Sequence, residues 1–310
     1  SKSINSFGCP TPAVGDVTGD GHPDIIQKAS FPLLDRAVFW DRAESGLYAW
    51  DYQGNLLRGF PIPLTQGTGS LDSPLLVDLD GDGIYEIVIY NSDNLQAYRG
   101  NGELIWSTNV SGLDINIDSP ITISSAEGSY PEIVLRRWDK REPNQGVIDI
   151  YDRFGSLIEE SNRPQEEEQA INVYNVQPMA YLSSSGSTRI YASRHIFDDQ
   201  GNLVNFFNNT LTQAWSGTFD QAISDVNNDG VPELIRGKVS PGIYSLINGS
   251  QLASFHEIWW ARDTSSPSII DINNDSYKET FLVDGAGIIY AFDYQGNLLN
   301  GYPIGGEWGS

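Results

Sequence analysis

The chain has 310 residues, 39% of them hydrophobic and 11% aromatic, so it can bury a substantial core, and its composition argues against general disorder. Its 18 Lys and Arg residues stand against 41 Asp and Glu residues, and the formal net charge is −23 at pH 7. Because nucleic-acid binding requires a basic surface, we expect no nucleic-acid partner. The single cysteine, Cys9, excludes an intrachain disulfide framework.

The sequence has no apolar run of about 18 residues, so we predict no membrane-spanning segment. No signal peptide is evident. We therefore expect the sequence to be a mature form or an excised domain, and membership of a larger chain or assembly stays open.

The first feature in chain order is a nine-residue acidic loop that begins at Asp16 and recurs three more times. The copies read D-V-T-G-D-G-H-P-D from Asp16, D-L-D-G-D-G-I-Y-E from Asp78, D-V-N-N-D-G-V-P-E from Asp225 and D-I-N-N-D-S-Y-K-E from Asp271. Each has oxygen-bearing side chains at positions one, three and five and a carboxylate at position nine. Position six is a glycine, which permits a sharp turn, except that the last copy has Ser276.

This pattern predicts a calcium-binding site, because Ca²⁺ takes six to eight oxygen ligands from carboxylates and carbonyls in a tightly turned loop. An EF-hand would carry its glutamate at position twelve, between two helices. Here the last acid comes at position nine, and the flanking residues are apolar and β-branched, as in Pro74–Val77 and Ile87–Tyr90. We therefore predict about four structural Ca²⁺ ions, each in a loop that joins two strands.

The predicted ligands are the side chains at positions one, three, five and nine and the backbone carbonyl at position seven. They are Asp16, Thr18, Asp20, His22 and Asp24 in the first loop, Asp78, Asp80, Asp82, Ile84 and Glu86 in the second, Asp225, Asn227, Asp229, Val231 and Glu233 in the third, and Asp271, Asn273, Asp275, Tyr277 and Glu279 in the fourth.

A longer repeat contains these loops. The segments Asp51–Ile62 and Asp293–Ile304 match at ten of twelve positions at an offset of 242 residues. Each unit reads as a strand, the loop, a second strand, a third strand with an aromatic residue, a glycine turn and a fourth strand. Four short strands at a period of about 40 to 50 residues are typical of propeller blades.

We predict a single all-β domain over 1–310, a β-propeller of about six four-stranded blades, with seven blades as the alternative. The six units cover approximately 11–64, 73–109, 119–161, 176–207, 220–255 and 266–304. The third and fourth units have degenerate loops, because Ser124–Gly128 lacks the early acids and Arg189 replaces the acid at position nine. Whether these two units bind metal stays open.

The repeated D-x-[DNT]-x-D-G-x-x-[DE] loop between strands resembles the calcium-binding repeat of FG-GAP/VCBS propellers, the family of the integrin α-subunit head. The resemblance covers Thr11 to Ile304 and implies a propeller that binds calcium. It leaves the function open, because that family includes adhesion heads, lectins and polysaccharide lyases. Weak calcium sites fill where calcium is near millimolar, so we expect an extracellular or cell-surface protein.

In a four-stranded blade, the loops after strands one and three lie on one face and the other connections lie on the opposite face. The longer connections, 29–45, 136–146, 160–175, 207–219 and 255–266, belong to the opposite face and are rich in Trp and Arg. Trp rings stack on sugars, and Arg binds carboxylate or sulfate. The predicted ligand-binding residues are Trp40, Arg42, Arg137, Trp138, Trp215, Trp259, Trp260 and Arg262.

We therefore predict a binding or adhesion module for a glycan or an extracellular protein partner. One alternative is a polysaccharide lyase that acts on an acidic glycan, with His256 and Arg262 as candidate catalytic residues. Another is a structural module of a surface assembly, in which the Trp residues anchor loops and the Arg residues pair with nearby acids. Whether the protein is an enzyme stays open, and a binding function is favoured because the sequence lacks a nucleophile elbow, a zinc site and a phosphate loop.

Overall fold

The computed structural model describes residues 11–32, 43–64, 73–91, 93–110, 120–124, 130–138, 146–161, 178–192, 195–206, 221–237, 240–256, 258 and 265–305. Within these ranges the regular secondary structure consists of 23 β-strands, with no helix. The same ranges contain no helix of the length and apolarity that crossing a membrane requires.

The chain forms two compact units. One comprises Ser1–Val173 with Asp199–Leu203, and the other comprises Tyr174–Asp198 with Val204–Ser310.

The first three sheets are antiparallel and four-stranded, and their strands follow chain order across each sheet. They consist of β1 (Ala13–Gly15), β2 (Asp24–Pro32), β3 (Ala43–Trp50) and β4 (Ile62–Leu64); β5 (Leu75–Val77), β6 (Glu86–Asn91), β7 (Asn94–Tyr98) and β8 (Leu104–Asn109); and β9 (Ile121–Ile123), β10 (Glu132–Trp138), β11 (Gly146–Tyr151) and β12 (Leu157–Glu160).

Three further sheets follow the same order. They consist of β13 (Met179–Leu182), β14 (Thr188–Ala192), β15 (His195–Asp198) and β16 (Leu203–Phe206); β17 (Gln221–Ser224), β18 (Glu233–Arg236), β19 (Gly242–Ser245) and β20 (Gln251–Ser254); and the three-stranded β21 (Ser268–Ile270), β22 (Glu279–Val283) and β23 (Ile289–Phe292). Six small sheets of this kind fit a propeller of about six blades, which agrees with the predicted fold class.

The two copies of the twelve-residue repeat form the same structure. Leu57 N–H donates to the Ala49 carbonyl, and Leu299 N–H donates to the Ala291 carbonyl. Ile62 in β4 pairs with Leu47 in β3, and Ile304 forms the corresponding bridge to Ile289 in β23. Up to residue 305, where the described part of the chain ends, the sixth sheet therefore has a single bridge in place of the fourth strand of the first sheet.

The second strand of the second sheet, β6, is apolar on both faces because this sheet is buried between the first and the third. In β6, Ile87 and Ile89 pack in a cluster with residues of the first sheet, such as Leu47. Val88 points the opposite way and packs in a second cluster with Leu135 of the third sheet. This two-sided burial explains why β6 reads as a continuous apolar run rather than alternating with polar residues.

Removal of the Ile87 side chain tests this two-sided packing. Ile87 is fully buried, so Ile87→Ala should lower the free energy of unfolding by about 2–5 kcal/mol. The exposed Leu104 in β8 is the control, and Leu104→Ala should change the free energy of unfolding by about 0.5 kcal/mol or less. Urea unfolding measures both, and equal losses would contradict the packing described above.

Candidate metal centres

Each of the four acidic loops connects the first two strands of its sheet, and its first carboxylate is held by backbone N–H groups of the same loop. In the second sheet, Gly81 N–H donates to Asp78 Oδ1 at 2.7 Å and Gly83 N–H donates to Asp78 Oδ2 at 2.9 Å. The contact between the sixth amide and the first carboxylate is present in all four loops. The other three pairs are Gly21–Asp16 at 2.8 Å, Gly230–Asp225 at 2.9 Å and Ser276–Asp271 at 3.0 Å.

The turn requires left-handed backbone at position six and, in addition, at position four. Ser276 adopts a φ of 74°, where the other loops have glycine, so the last loop takes the predicted turn without a glycine. Position four has a positive φ in every loop and is occupied by Gly19, Gly81, Asn228 and Asn274. Sequence analysis missed this position, although Gly and Asn are the residues that adopt this conformation most readily.

The carboxylate at position nine is buried and closes the base of the loop. In the second loop, Glu86 is 3% exposed, and its Oε2 accepts the N–H of Leu79, the residue at position two, at 2.9 Å. The same contact joins Val17 to Asp24, Val226 to Glu233 and Ile272 to Glu279, each at 3.0 Å. One oxygen of every ninth residue is therefore fixed by the backbone.

The carboxylate oxygens of the first two loops are arranged in a way that suits a cation. In the first loop, Asp24 Oδ1 is buried and has no hydrogen-bond partner. In the second loop, carboxylate oxygens of Asp78, Asp80 and Glu86 lie within 4.8 Å of one another. Like charges at this spacing repel unless a cation or protons balance them. The donors are all hard oxygens, as calcium prefers.

Position three differs between the loops. In the fifth sheet, Asn227 Nδ2 donates to Glu233 Oε1 at 3.2 Å, and in the sixth sheet Asn273 Nδ2 makes the same contact with Glu279 at 3.2 Å. The amide group thus lies against the oxygen that would face a cation. Rotation of the amide would present its oxygen to a metal ion instead.

In the first loop, the pKa values of the carboxyl groups at positions one and nine shift in opposite directions. Desolvation by burial acts to raise the pKa of Asp16, but backbone hydrogen bonds from Gly21, Gly19 and Thr18 outweigh it, and the pKa lies below its ordinary value. At position nine, desolvation by burial raises the pKa of Asp24 and Glu86, and it raises the pKa of Glu233 to about 7. The neighbouring charges of Asp229 and Asp225 act on Glu233 in the same direction. A divalent cation would offset both of these costs.

The loop of the fourth sheet is a different structure. Ser183 N–H donates to the Ser187 carbonyl at 2.9 Å, and the hydroxyl of Ser185 lies within hydrogen-bonding distance of both Ser183 and Ser187. Arg189 pairs with Tyr181 in register, as Glu86 pairs with Val77 in the second sheet. This turn contains no carboxylate, so it does not share the donor set of the acidic loops. Most of the corresponding loop of the third sheet, 125–129, lies outside the described residues.

Most of the predicted ligand-binding residues lie outside the described ranges. These are Trp40, Arg42, Trp215, Trp259, Trp260 and Arg262. Arg137 and Trp138 belong to β10 rather than to a connection, because β10 and β11 continue to pair as far as Trp138 and Gly146. His256 is exposed just after β20. The predicted ligand face therefore stays a prediction.

Comparison with known proteins supports the fold. No protein-family model matches the chain, and no curated protein matches it. A solved Agrocybe aegerita lectin that recognises non-reducing terminal N-acetylglucosamine is similar over 95% of this chain and 79% of its own, with 11% identity and a TM-score of 0.55. The Vibrio cholerae biofilm matrix protein Bap1 is similar over 73% of this chain, with 16% identity and a TM-score of 0.51. The fold is that of a β-propeller.

These likenesses concern the fold. At 11% and 16% identity they carry no residue-level correspondence for the acidic loops. The match spans 38% of the length of Bap1.

Glu233 predicts a pH dependence in calcium-free protein. Because its pKa is raised from the ordinary 4.5 to about 7, the folded state binds this proton more tightly than the unfolded state. Its contribution to stability is full below about pH 4.5 and is lost as the pH rises through about 7. The free energy of unfolding of the wild type should therefore fall between pH 5 and 7.5, relative to that of Glu233→Gln, by on the order of 1–3 kcal/mol. Urea unfolding of calcium-stripped protein measures this difference.

The exposed Glu103 provides the control for that series. Glu103→Gln should follow the wild type across the same pH range. If the curves of wild type and Glu233→Gln are parallel, Glu233 does not titrate as its burial requires.

Proposed function

We propose that this chain is a calcium-stabilised propeller of the FG-GAP/VCBS type that acts outside the cell as a binding module. The observation that carries the calcium assignment is the geometry common to four loops, in which a buried ninth carboxylate has one oxygen tied to the backbone. The second oxygen has no hydrogen-bond partner in the first loop, lies near the Arg99 guanidinium in the second and accepts an asparagine N–H in the other two. In each loop the side chains at positions one, three, five and nine and the carbonyl at position seven would hold the ion. The bound ion would supply a divalent positive charge that offsets the repulsion of the clustered carboxylates.

The loops also make contacts between neighbouring sheets. A loop with a fixed conformation should therefore stabilise the packing of the sheets as well. Tyr85 N–H, at position eight of the second loop, donates to the carbonyl of Asp16 in the first loop at 3.0 Å. Lys278 N–H, at position eight of the sixth-sheet loop, donates to the carbonyl of Val226 in the fifth-sheet loop at 3.0 Å. A cation that orders one loop would therefore also fix its contact with the adjacent sheet.

We propose further that the partner is a glycan or a surface protein and that it binds at the edge opposite the acidic loops. In each sheet the strands run up and down in chain order, so the connection between strands two and three lies at the edge away from the acidic loop. By the same reasoning, the connection that follows strand four lies at that edge. These two kinds of connection carry most of the Trp and Arg residues that suit sugar rings and acidic groups. A lectin of similar fold that recognises N-acetylglucosamine makes a glycan a reasonable first partner to test.

Calcium removal tests the first part of the proposal. At a hundredfold excess of ligand over Kd, one site adds about 2.7 kcal/mol to the free energy of unfolding. We expect EDTA to lower the melting temperature by at least about 5 °C and excess Ca²⁺ to restore it. Asp78→Asn with Glu86→Gln should reduce the difference between EDTA and calcium. An unchanged melt in EDTA would contradict the proposal.

Glycan binding tests the second part. Calcium-loaded protein is applied to a glycan array, and the variant with Trp259→Ala and Trp260→Ala should lose about tenfold or more in affinity, since buried Trp residues commonly dominate such interfaces. Trp106→Phe is the control, because Trp106 in β8 donates to the Arg153 carbonyl at the acidic-loop edge. Intact binding by the double variant would remove these residues from the partner face. Appearance of an unsaturated uronide product would favour the lyase alternative.

A further inference from the structure

We propose that the turn between the third and fourth strands sets the calcium affinity of the acidic loop beside it, and that it acts in opposite directions in different sheets. Aromatic residues of the turn favour calcium in the first and sixth sheets, whereas Arg99 opposes it in the second. This inference rests on the proposed calcium sites, and it concerns residues that are not themselves ligands.

In the sixth sheet the turn holds the seventh loop residue by ring stacking. The Tyr294 ring stacks on that of Tyr277, with centroids 4.5 Å apart and planes at 16°. The equivalent pair in the first sheet is Tyr52 and His22, with centroids 4.3 Å apart and planes at 35°. Tyr277 and His22 are the residues whose backbone carbonyls would be calcium ligands. The first of these contacts is stacked and the second is tilted. Each restricts the seventh residue before the ion binds, and such preorganisation increases affinity.

The turns themselves are rigid, so they can hold the rings in place. Asp293 Oδ1 accepts the N–H of Gln295 at 2.9 Å and that of Asn297 at 2.8 Å. Asp51 makes the same two contacts in the first sheet. Each ring follows directly after the aspartate that organises its turn.

In the second sheet the corresponding turn begins with an arginine instead of an aspartate. Arg99 N–H donates to the Glu103 carbonyl, as Asp51 N–H donates to the Asn55 carbonyl. The Arg99 guanidinium lies 3.9 Å from Asp80 Oδ2 and 4.0 Å from Glu86 Oε1. Both of these acids are proposed ligands, so a positive charge is placed beside a cation site.

Arg99 compensates for a difference in the number of carboxylates. The second loop has an aspartate, Asp80, at position three, where the loops of the fifth and sixth sheets have Asn227 and Asn273. In those loops the asparagine Nδ2 donates to the ninth carboxylate. In the second loop Arg99 occupies the comparable place against Glu86 Oε1. The guanidinium therefore stabilises the loop without calcium and repels the ion when it arrives.

The third sheet shows that the contact between turn and loop does not depend on the early carboxylates. Tyr130 occupies the position of the seventh loop residue, two residues before Glu132. The Arg153 guanidinium lies 3.5 Å from the centroid of the Tyr130 ring. The third unit lacks acids at positions one, three and five. The contact is thus part of the blade itself, and in the acidic loops it is available to tune a metal site.

A calcium titration followed by hydrogen exchange and mass spectrometry separates the loops. The calcium concentration at half-maximal amide protection is read for the peptides that cover 78–86 and 271–279. Tyr294→Ala should raise it for 271–279 by about threefold to tenfold, the factor expected from one aromatic pair, and leave it unchanged for 78–86. Tyr294→Phe keeps the ring and should retain the wild-type value.

Arg99→Gln should have the opposite effect on the other peptide. The calcium concentration for half-maximal protection of 78–86 should fall severalfold, since the half-exposed guanidinium acts through a screened interaction. Arg99→Lys keeps the charge and should stay close to the wild type. A purely structural role for Arg99 would predict no change or a weaker site.

Two results separate failure of this inference from failure of the calcium sites. If neither wild-type peptide gains protection with Ca²⁺, the proposed calcium binding is wrong. If both gain protection but Tyr294→Ala and Arg99→Gln leave the half-maximal concentrations unchanged, calcium binding stands and the tuning role of the turns is wrong. Loss of stability in Tyr294→Ala without calcium, with unchanged half-maximal concentrations, would likewise assign Tyr294 a purely structural role.

Discussion

The hydrogen bond between the ninth carboxylate and the second amide is the interaction on which each acidic loop depends. It joins the two ends of the loop at the point where the first strand ends and the second begins, as Glu86 does with Leu79. Burial keeps this contact free of competition from water, but it also disfavours the carboxylate charge. The residue that closes the hairpin is therefore also one whose charge is opposed by burial, as the raised pKa values of Glu86 and Glu233 indicate.

The same loops connect neighbouring sheets. Backbone contacts from Tyr85 to Asp16 and from Lys278 to Val226 link loops of adjacent sheets within a unit. Below them, second strands such as β6 bury both faces against neighbouring sheets. A sheet of three or four short strands has little stability alone, so these contacts hold the repeat together. Ordering of a loop and packing of the sheets thus reinforce each other.

Repetition of one unit did not produce identical sites. Asp80, Asn227 and Asn273 occupy the same position, but only the aspartate adds a fourth carboxylate, and an arginine lies beside its loop. The turn of the fourth unit has no acidic residue and is closed by serine hydroxyl groups. The blade therefore tolerates loops of different charge as long as the hairpin between its first two strands is closed.

The sequence by itself determined the strands, the repeat and the position of each candidate ligand, because these follow from local patterns of apolar residues, glycines and acids. Tertiary structure decided which other side chains reach the loops. Tyr294 lies 17 residues after Tyr277 in the sequence, and Arg99 lies 13 residues after Glu86. They meet the loops only because the third strand returns to the edge of the acidic loop, where the turn into the fourth strand lies. It also placed Trp138 within β10, because continued pairing of β10 with β11 is a property of two strands together.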